Sequence, residues 1–345
     1  MTDVSIVSFA QAPNVRATHG TTNGVEMLVP ILREALDGAG LAKQDIGFWC
    51  SGSSDYLAGR AFSFIAAVDA IGAFPPIHES HVEADAAWAL YEAWVKIRTG
   101  EVDTALVYGF GKSSAGVLRR VLAMQLDPYS VAPLWPDAVS VAGLQARLGL
   151  DQGLWTEQDM AEVAARSRGA NPNAQVHERV TAEELLDRPY LADPLRRHDC
   201  PPVTDGAAVV VLATAERARE LTPNPARIIG MAHRVESAQL GARELTASPS
   251  TAAAAAAVGT DGATLAELHA PFTHQEILLR RALRLGDEVT VNPSGGPLCG
   301  NPMFAAGLAR IGEAATRVPP GERAIAHATS GPLLQQNLVC VLEGE

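Results

Sequence analysis

The sequence predicts an α/β fold in which mixed β-sheets are covered by helices, and three observations carry that reading. Residues 102–109 (Val-Asp-Thr-Ala-Leu-Val-Tyr-Gly) and 205–212 (Asp-Gly-Ala-Ala-Val-Val-Val-Leu) are near-continuous apolar runs. This is the pattern of strands buried on both faces. Stretches of helical spacing separate such runs, and glycines such as Gly38, Gly40 and Gly100 punctuate them. The length of 345 residues, 47% of them hydrophobic, suffices for one large domain or two medium ones.

Each element has its own reason. Residues 4–10 form a short β-branched run, a buried strand. Thr21, Thr22 and Asn23 offer caps for a helix over 24–36, with Glu26 near its positive end. A second strand spans 46–50 and ends in the polar loop Ser51-Gly-Ser-Ser-Asp-Tyr56, where α/β sheets tend to hold ligands. A helix over 60–70, a strand over 77–82 and a helix over 85–97 follow, the last stopped by Gly100. Residues 112–200 break this rhythm. They are rich in Pro, Arg and Trp and read as an excursion with helices over 139–148 and 157–169 rather than more sheet.

The sheet pattern resumes at 205–212, and a second half starts near Pro223. It predicts a strand over 227–232 and a tightly packed, buried alanine-rich helix over 252–258, since Ala is the best helix former. A strand over 265–268, a helix over 273–285, a helical pattern over 303–315 and strands over 323–328 and 337–342 complete it. The expected units are 1–111 with 201–222, an excursion over 112–200, and 223–345.

Composition excludes several function classes. No uninterrupted apolar run reaches about 18 residues, so no membrane span is expected. A net charge of −12 disfavours nucleic acid and anionic membrane as partners, though a local Arg/Lys cluster could still meet a phosphate. The N-terminus has neither a basic nor an apolar leader region, so no signal peptide is expected. Cys50, Cys200, Cys299 and Cys340 lie far apart without C-x-x-C spacing. That argues against a disulfide framework or a zinc site and for a reducing cytoplasm.

The stretch with the strongest chemical content is Asn292-Pro-Ser-Gly-Gly-Pro-Leu-Cys-Gly-Asn-Pro302. Gly295, Gly296 and Gly300, with Ser294 between strand and glycines, let backbone amides approach a ligand. The helix that follows turns its positive end toward a developing anion. On chemistry alone this is an oxyanion or thioester site.

Five segments in order resemble the thiolase superfamily, and among its branches the sterol carrier protein x and bacterial lipid-transfer proteins. Val102-Asp-Thr-Ala-Leu-Val-Tyr-Gly-Phe-Gly-Lys-Ser-Ser114 is similar to the family's D-x-A-L-V-x-G-x-E-K-M-S strand and turn. Asp199-Cys-Pro-Pro-Val-Thr-Asp-Gly-Ala-Ala-Val-Val-Val-Leu212 resembles D-C-C-P-x-S-D-G-A-A-A, and Glu267-Leu-His-Ala-Pro-Phe-Thr273 resembles E-L-H-D-C-F-T. The glycine loop resembles N-x-G-G-x-x-x-x-G-H-P, and the C-terminus ends as thiolases end. The resemblance implies the five-layered α-β-α-β-α thiolase fold, with two mixed-sheet halves and an excursion in the first.

The departures matter as much. A thiolase needs a nucleophilic cysteine at the head of its third helix, where the dipole lowers its pKa. Counting along the matched segments puts that position at Glu83, give or take two residues, in His81-Val-Glu-Ala-Asp85. The histidine of G-H-P is Asn301, and the cysteine of the C-terminal C-x-G motif falls near Thr329. The asparagine that positions an oxyanion-hole water in many thiolases is His269, as in the sterol carrier branch. Acyl transfer by the usual route is therefore excluded. A Cys299-dependent thiolase is the weakest alternative, because a buried cysteine is usually a small apolar filler.

The remaining groups are His269, His274, Asn301, the loop amides, and a polar cluster of His78, His81, Glu83 and Asp85. They can polarise a thioester carbonyl and move a proton. The resemblance implies retro-aldol cleavage of a steroid side-chain β-hydroxyacyl-CoA, with the enolate held in the old oxyanion hole. His269 reads as acid/base or oxyanion ligand, or as support inherited from the fold. His274 reads as catalytic or as solvent-exposed at a helix start. Asp85 reads as proton-transfer group or helix cap, and Tyr56 as a catalytic acid. Related aldol-lyases use tyrosines, and none follows Tyr190 here. Arg166, Arg168, Arg196 and Arg197 are the candidate clamp for an acyl-CoA. No cofactor beyond the CoA thioester is expected. The expected partners are a small protein with an OB-fold and zinc ribbon, and a second thiolase-like chain in a homodimer or heterodimer. The alternative function is a non-catalytic subunit of such a heteromer.

Overall fold

The computed structural model describes residues 2–18, 24–58, 61–171 and 174–345. The first half runs β1 (Val4–Gln11), α1 (Gly24–Ala39), β2 (Phe48–Gly52), α2 (Asp55–Ala58), α3 (Ser63–Ile71), β3 (Glu79–Val82), α4 (Ala86–Arg98) and β4 (Thr104–Lys112). The excursion holds α5 (Leu118–Ala123), α6 (Ala138–Asp151), α7 (Glu157–Ala170), α8 (Ala182–Leu186) and a hairpin of β5 (Tyr190–Ala192) and β6 (Leu195–Arg196). β7 (Asp205–Thr214) and α9 (Ala215–Leu221) return the chain to the first half. The second half runs β8 (Ala226–Val235), α10 (Pro249–Val258), β9 (Ala263–Leu268), α11 (Thr273–Ala282), β10 (Thr290–Val291), α12 (Ala306–Arg317), β11 (Arg323–Ser330) and β12 (Gln336–Gly344).

Local chemistry sets the boundaries. Asp137 accepts from Ser140 N to start α6. Thr156 and Asp159 form a capping box at α7, and Thr181 and Glu184 form one at α8. Gly100, at φ +76°, ends α4 where a side chain would be strained.

The strand order is β10-β9-β11-β12-β8-β1-β7-β4-β2-β3. Read outward from the middle, β1-β7-β4-β2-β3 and β8-β12-β11-β9-β10 have the same sequence of parallel and antiparallel pairings. The halves therefore repeat one topology and meet where β1 pairs with β8 at Ser5 and Ile6. In this repeat α4 and α12 are equivalent helices. Both sit in the central cluster, with Ala105 and Val107 of β4 on one side and Ala324 and Ala326 of β11 on the other. The alternate residues point away. Leu106 and Tyr108 pack toward α1, and Ile325 and Val339 toward α10 and α11. The result is five layers with α4 and α12 in the middle.

Several expectations shift. The second strand begins at Phe48 rather than residue 46, and the loop expected after it is partly strand and partly the helical turn α2. The excursion does carry sheet, the β5–β6 hairpin. The alanine helix is not wholly buried: Ala254 and Ala255 face the core while Ala252, Ala253, Ala256 and Ala257 face solvent. The expected caps Thr21, Thr22 and Asn23, and Arg60 at the start of the next helix, lie outside the described residues.

Candidate active site

A cavity of about 390 Å³ opens between the two halves and the excursion. Its apolar wall comes from Leu118 and Leu122 of α5, Val139 and Val141 of α6, and Phe272 and Leu334 of the second half. Among the polar residues that line the same cavity are Asp85 at the head of α4, His269 just past β9, Asn301 before α12 and Thr329 near the end of β11. Elements from both halves thus deliver side chains to one place. These are the carboxyl ends of strands and the amino ends of helices, where α/β proteins keep their ligands.

Hydrogen bonds settle the state of His269. Thr329 N donates to its Nδ1 at 3.3 Å, so Nδ1 is the unprotonated acceptor. Its Nε2 then carries the hydrogen and donates to Asn301 Oδ1 at 3.1 Å. Burial, with His327 and Arg310 nearby, pushes the imidazole pKa down to about 3 against the support of the Asn301 bond. His269 is a neutral donor with both ring nitrogens engaged. The same chain of bonds orients Asn301. With Oδ1 committed to His269, Nδ2 is left with only a long contact of 3.9 Å to Met303 Sδ, and its hydrogens are available to the cavity that Asn301 lines.

Asp85 is 3% exposed and serves two helices. Oδ1 accepts from Ala87 N at 2.9 Å in α4 and from Leu308 N at 3.0 Å in α12, and Oδ2 accepts from Gly307 N at 2.9 Å. Ala86 N donates to Phe304 O at 2.9 Å, which ties the head of α4 to the loop that carries Asn301. Burial raises the Asp85 pKa, while the three amides and Arg310 oppose the rise.

The glycine loop is a packed girder rather than an open cradle. Gly295 and Gly296 sit at φ +90° and +60°, conformations that glycine adopts without strain. Gly295 N donates to Asn292 O, Gly296 N to Ser294 Oγ and Asn301 N to Thr204 Oγ1. Those amides are already satisfied. Ser294 is bound through N and Oγ to Glu267, which in turn holds Arg310. A side chain at Gly300 would strike Asn14. Of the loop, Asn301 is the residue that lines the cavity; Ser294, Gly295, Gly296 and Gly300 do not.

Other expected site residues lie elsewhere. Glu83 is exposed and outside the cavity lining, so the carboxylate in place near the old nucleophile position is Asp85. His81 bonds Ser51 Oγ at 3.1 Å, and His78 lies near Glu101 at the surface. Tyr56 is 67% exposed on α2 and does not line the cavity. His274 does begin α11, yet it is buried, with Nε2 on Gln145 Oε1 at 3.0 Å and a pKa pushed down by burial to about 3. Arg166 pairs with Glu276, Arg168 with Glu178 and Arg196 with Glu157. Arg197 is the one of the four arginines that lines the cavity. Sequence reasoning missed Arg119, Gln275 and the α5 and α6 apolar residues that also line it. A leucine and valine pattern is as consistent with a core as with a pocket, so the sequence held no signal for them.

Comparisons with known proteins agree with this fold. No family model matches the sequence. The chain is 28% identical over 270 residues to an acetyl-CoA acetyltransferase of Methanothermobacter thermautotrophicus, covering 69% of this chain and 70% of that one. It is 27% identical over 206 residues to the 17-hydroxy-3-oxo-4-pregnene-20-carboxyl-CoA lyase of Mycobacterium tuberculosis, covering 56% of this chain and 53% of the lyase. Among solved structures it matches the Ltp2-ChsH2(DUF35) aldolase with a TM-score of 0.79 at 18% identity, over 98% of this chain and 97% of that one. The chain has the thiolase-like α/β fold, and its sequence is similar to that of the archaeal acetyl-CoA acetyltransferase. These two relatives by sequence are named for different reactions, an acyl transfer and a lyase reaction, so the reaction must be read from the site. Among the described residues, no helix is long and apolar enough to cross a membrane.

Proposed function

We propose that this chain is a subunit of a carbon–carbon lyase that cleaves a β-hydroxyacyl-CoA by retro-aldol chemistry, releasing a ketone and a shorter acyl-CoA. One observation carries the reading. The cavity has kept a hydrogen-bond donor, Asn301 Nδ2, while the head of α4 holds the carboxylate of Asp85 instead of a thiol. A donor without a nucleophile suits an enolate, in which charge develops on the thioester oxygen while no acyl-enzyme forms. In the reaction a base removes the β-hydroxyl proton, the carbon–carbon bond breaks, and the thioester enolate rests on Asn301 before it is protonated. Cys200 also lines the cavity, but burial raises its pKa to about 12 and its thiol points at Arg196 O, 3.6 Å away.

The cavity's volume and apolar wall suit a bulky, weakly polar acyl group. The name of the mycobacterial relative supports a steroid side-chain ester as that group. Arg197, at the cavity lining, is the group for the CoA phosphates; Arg119 lines it too but pairs with Asp137 at 3.1 Å. The aldolase with the same fold is named as a complex with a DUF35 component, which supports a small OB-fold and zinc-ribbon partner for this chain. A second thiolase-like chain is the other expected partner. The test is incubation of the chain with these partners and a steroid β-hydroxyacyl-CoA. Ketone and shortened acyl-CoA are the expected products; no product from any such mixture would refute the proposal.

A second reading, a non-catalytic subunit beside an active homologous chain, is favoured by one specific observation. Both ring nitrogens of His269 are engaged by the protein. Under that reading, alanine at His269 and Asn301 leaves the activity of the assembled complex unchanged.

A further inference from the structure

We propose that the Oδ2 atom of Asp85 is the base that takes the β-hydroxyl proton, and that the same carboxyl returns it to the product enolate. This rests on the lyase reading and assigns its missing proton carrier.

The cavity lining leaves few choices. Its titratable members are Asp85, Arg119, Arg197, Cys200 and His269. Arginine does not give up its proton in proteins. His269 has no free nitrogen, because Nδ1 accepts from Thr329 N and Nε2 donates to Asn301. Cys200 is a buried thiol held on Arg196 O. Asp85 is the one carboxylate among the described residues of the lining.

Its two oxygens are not equivalent. Oδ1 accepts two backbone hydrogen bonds, from Ala87 N and Leu308 N, which fill both of its lone-pair directions. Oδ2 accepts one, from Gly307 N. One lone pair on Oδ2 is therefore left for a substrate hydroxyl. The two helices fix the carboxylate rigidly, as a base that must meet a single hydroxyl requires. Asp85 and Asn301 are joined through a short span of backbone: Ala86 N donates to Phe304 O, and both Met303 and Phe304 line the cavity between them. Burial also raises the Asp85 pKa, which brings a carboxyl nearer to the range useful for proton transfer.

The step balances without an outside reagent. Oδ2 takes the hydroxyl proton, and the O–H electron pair becomes the π bond of the new ketone. The Cα–Cβ bond breaks, and its pair becomes the thioester enolate held at Asn301 Nδ2. The protonated Asp85 then donates the same proton to Cα, which completes the shorter acyl-CoA and restores the carboxylate.

The experiment compares the parent complex with Asp85→Asn and Asp85→Ser, measuring cleavage of a β-hydroxyacyl-CoA and binding of the acyl-CoA product. Serine is a good helix cap, so it keeps an acceptor for α4 without a carboxylate. Cleavage is expected to fall by about 10²–10⁴-fold in both, the usual worth of a positioned base, with product affinity within several fold of the parent. A parent that cleaves, with variants retaining more than about a tenth of its rate, overturns the role of Asp85 and leaves the lyase reading standing. A parent that cleaves no β-hydroxyacyl-CoA overturns the lyase reading and this assignment together. Should both variants fail to bind product or to fold, the parent itself decides. Treated with a 2,3-epoxyacyl-CoA, it is expected to form an ester on Asp85 as the epoxide C–O bond opens. Modification at another residue, or none, overturns the assignment.

Discussion

Replacing Glu267 by glutamine is expected to destabilise the protein by about 3–5 kcal/mol, the cost of breaking a buried charge pair from one side. The magnitude follows from the surroundings. Glu267 has no exposed surface and Arg310 is 5% exposed. One carboxylate oxygen accepts from Arg310 Nη1 at 2.6 Å and from Ser294 Oγ at 2.7 Å, and the other accepts from Ser294 N at 3.0 Å. Glutamine keeps one acceptor and turns the other into a donor that faces donors. The guanidinium of Arg310 is then left in the core without its anion. An exposed pair in the same geometry would contribute only about 0–1 kcal/mol, so burial decides the outcome. The assay is urea unfolding of the parent, Glu267→Gln, Arg310→Met and the double variant. Each single change should lower the midpoint with the denaturant slope unchanged, and the double variant should lose less than the sum, with a coupling of about 1–3 kcal/mol. A Glu267→Gln protein within about 1 kcal/mol of the parent would show that this network does not hold the loop before Asn301 in place.

Three further outcomes follow from the site. Asn301→Asp keeps the acceptor for His269 and removes the donor, so kcat should fall about 10²–10³-fold with folding retained; a loss under tenfold would end the oxyanion role. Gly307→Ala would place a Cβ 2.5 Å from Asp85 Oδ1 and 2.7 Å from the Ala328 Cβ, and thermal unfolding should show a loss of about 1–3 kcal/mol. Stability should also fall as pH drops below the ordinary histidine value of 6.5. His269 and His274 are held down to about 3 and His327 to about 4, so the unfolded chain takes up protons that the folded chain refuses. Each contributes up to about 1.4 kcal/mol per pH unit between 6.5 and its folded value. The raised carboxyls Asp85 and Asp199 act in the opposite sense at the low end, so the cleanest readout is His274→Gln. That variant should flatten the slope between pH 6.5 and 5 by about one proton, and an unchanged slope would contradict a neutral buried His274.

The order of elements was legible because strands buried on both faces leave unbroken apolar runs, as at Val209, Val210 and Val211. The β5–β6 hairpin was not, since strands of three and two residues carry no periodicity. Two half-chains of strands and covering helices made a repeat plausible, but the sequence could not establish it because it resides in pairings, not in matching residues. At the site, sequence brought the glycine loop, His269, Asp85 and Asn301 forward, and His269, Asp85 and Asn301 line one cavity while the rest of the loop does not. The glycine pattern could not show that its amides were already taken. Gly296 N is used by Ser294 Oγ and Asn301 N by Thr204 Oγ1, the latter a partner 97 residues away. In the same way Arg166, Arg168 and Arg196 carry charge that reads as a phosphate clamp until Glu276, Glu178 and Glu157 are placed against them.

The repeated topology gives a physical reason why a carboxylate sits at the head of α4. α4 and α12 are equivalent helices of the two halves, and their amino ends come together at one point. Three amides, of Ala87, Gly307 and Leu308, point at that point, and two helix dipoles add to their positive potential. Whatever occupies it must accept hydrogen bonds and is favoured if it is anionic. A thiolate there would be activated, but it offers a single weak acceptor for three donors. The two oxygens of Asp85 serve all three. The same geometry that would ready a cysteine for attack therefore holds Asp85 in a fixed place.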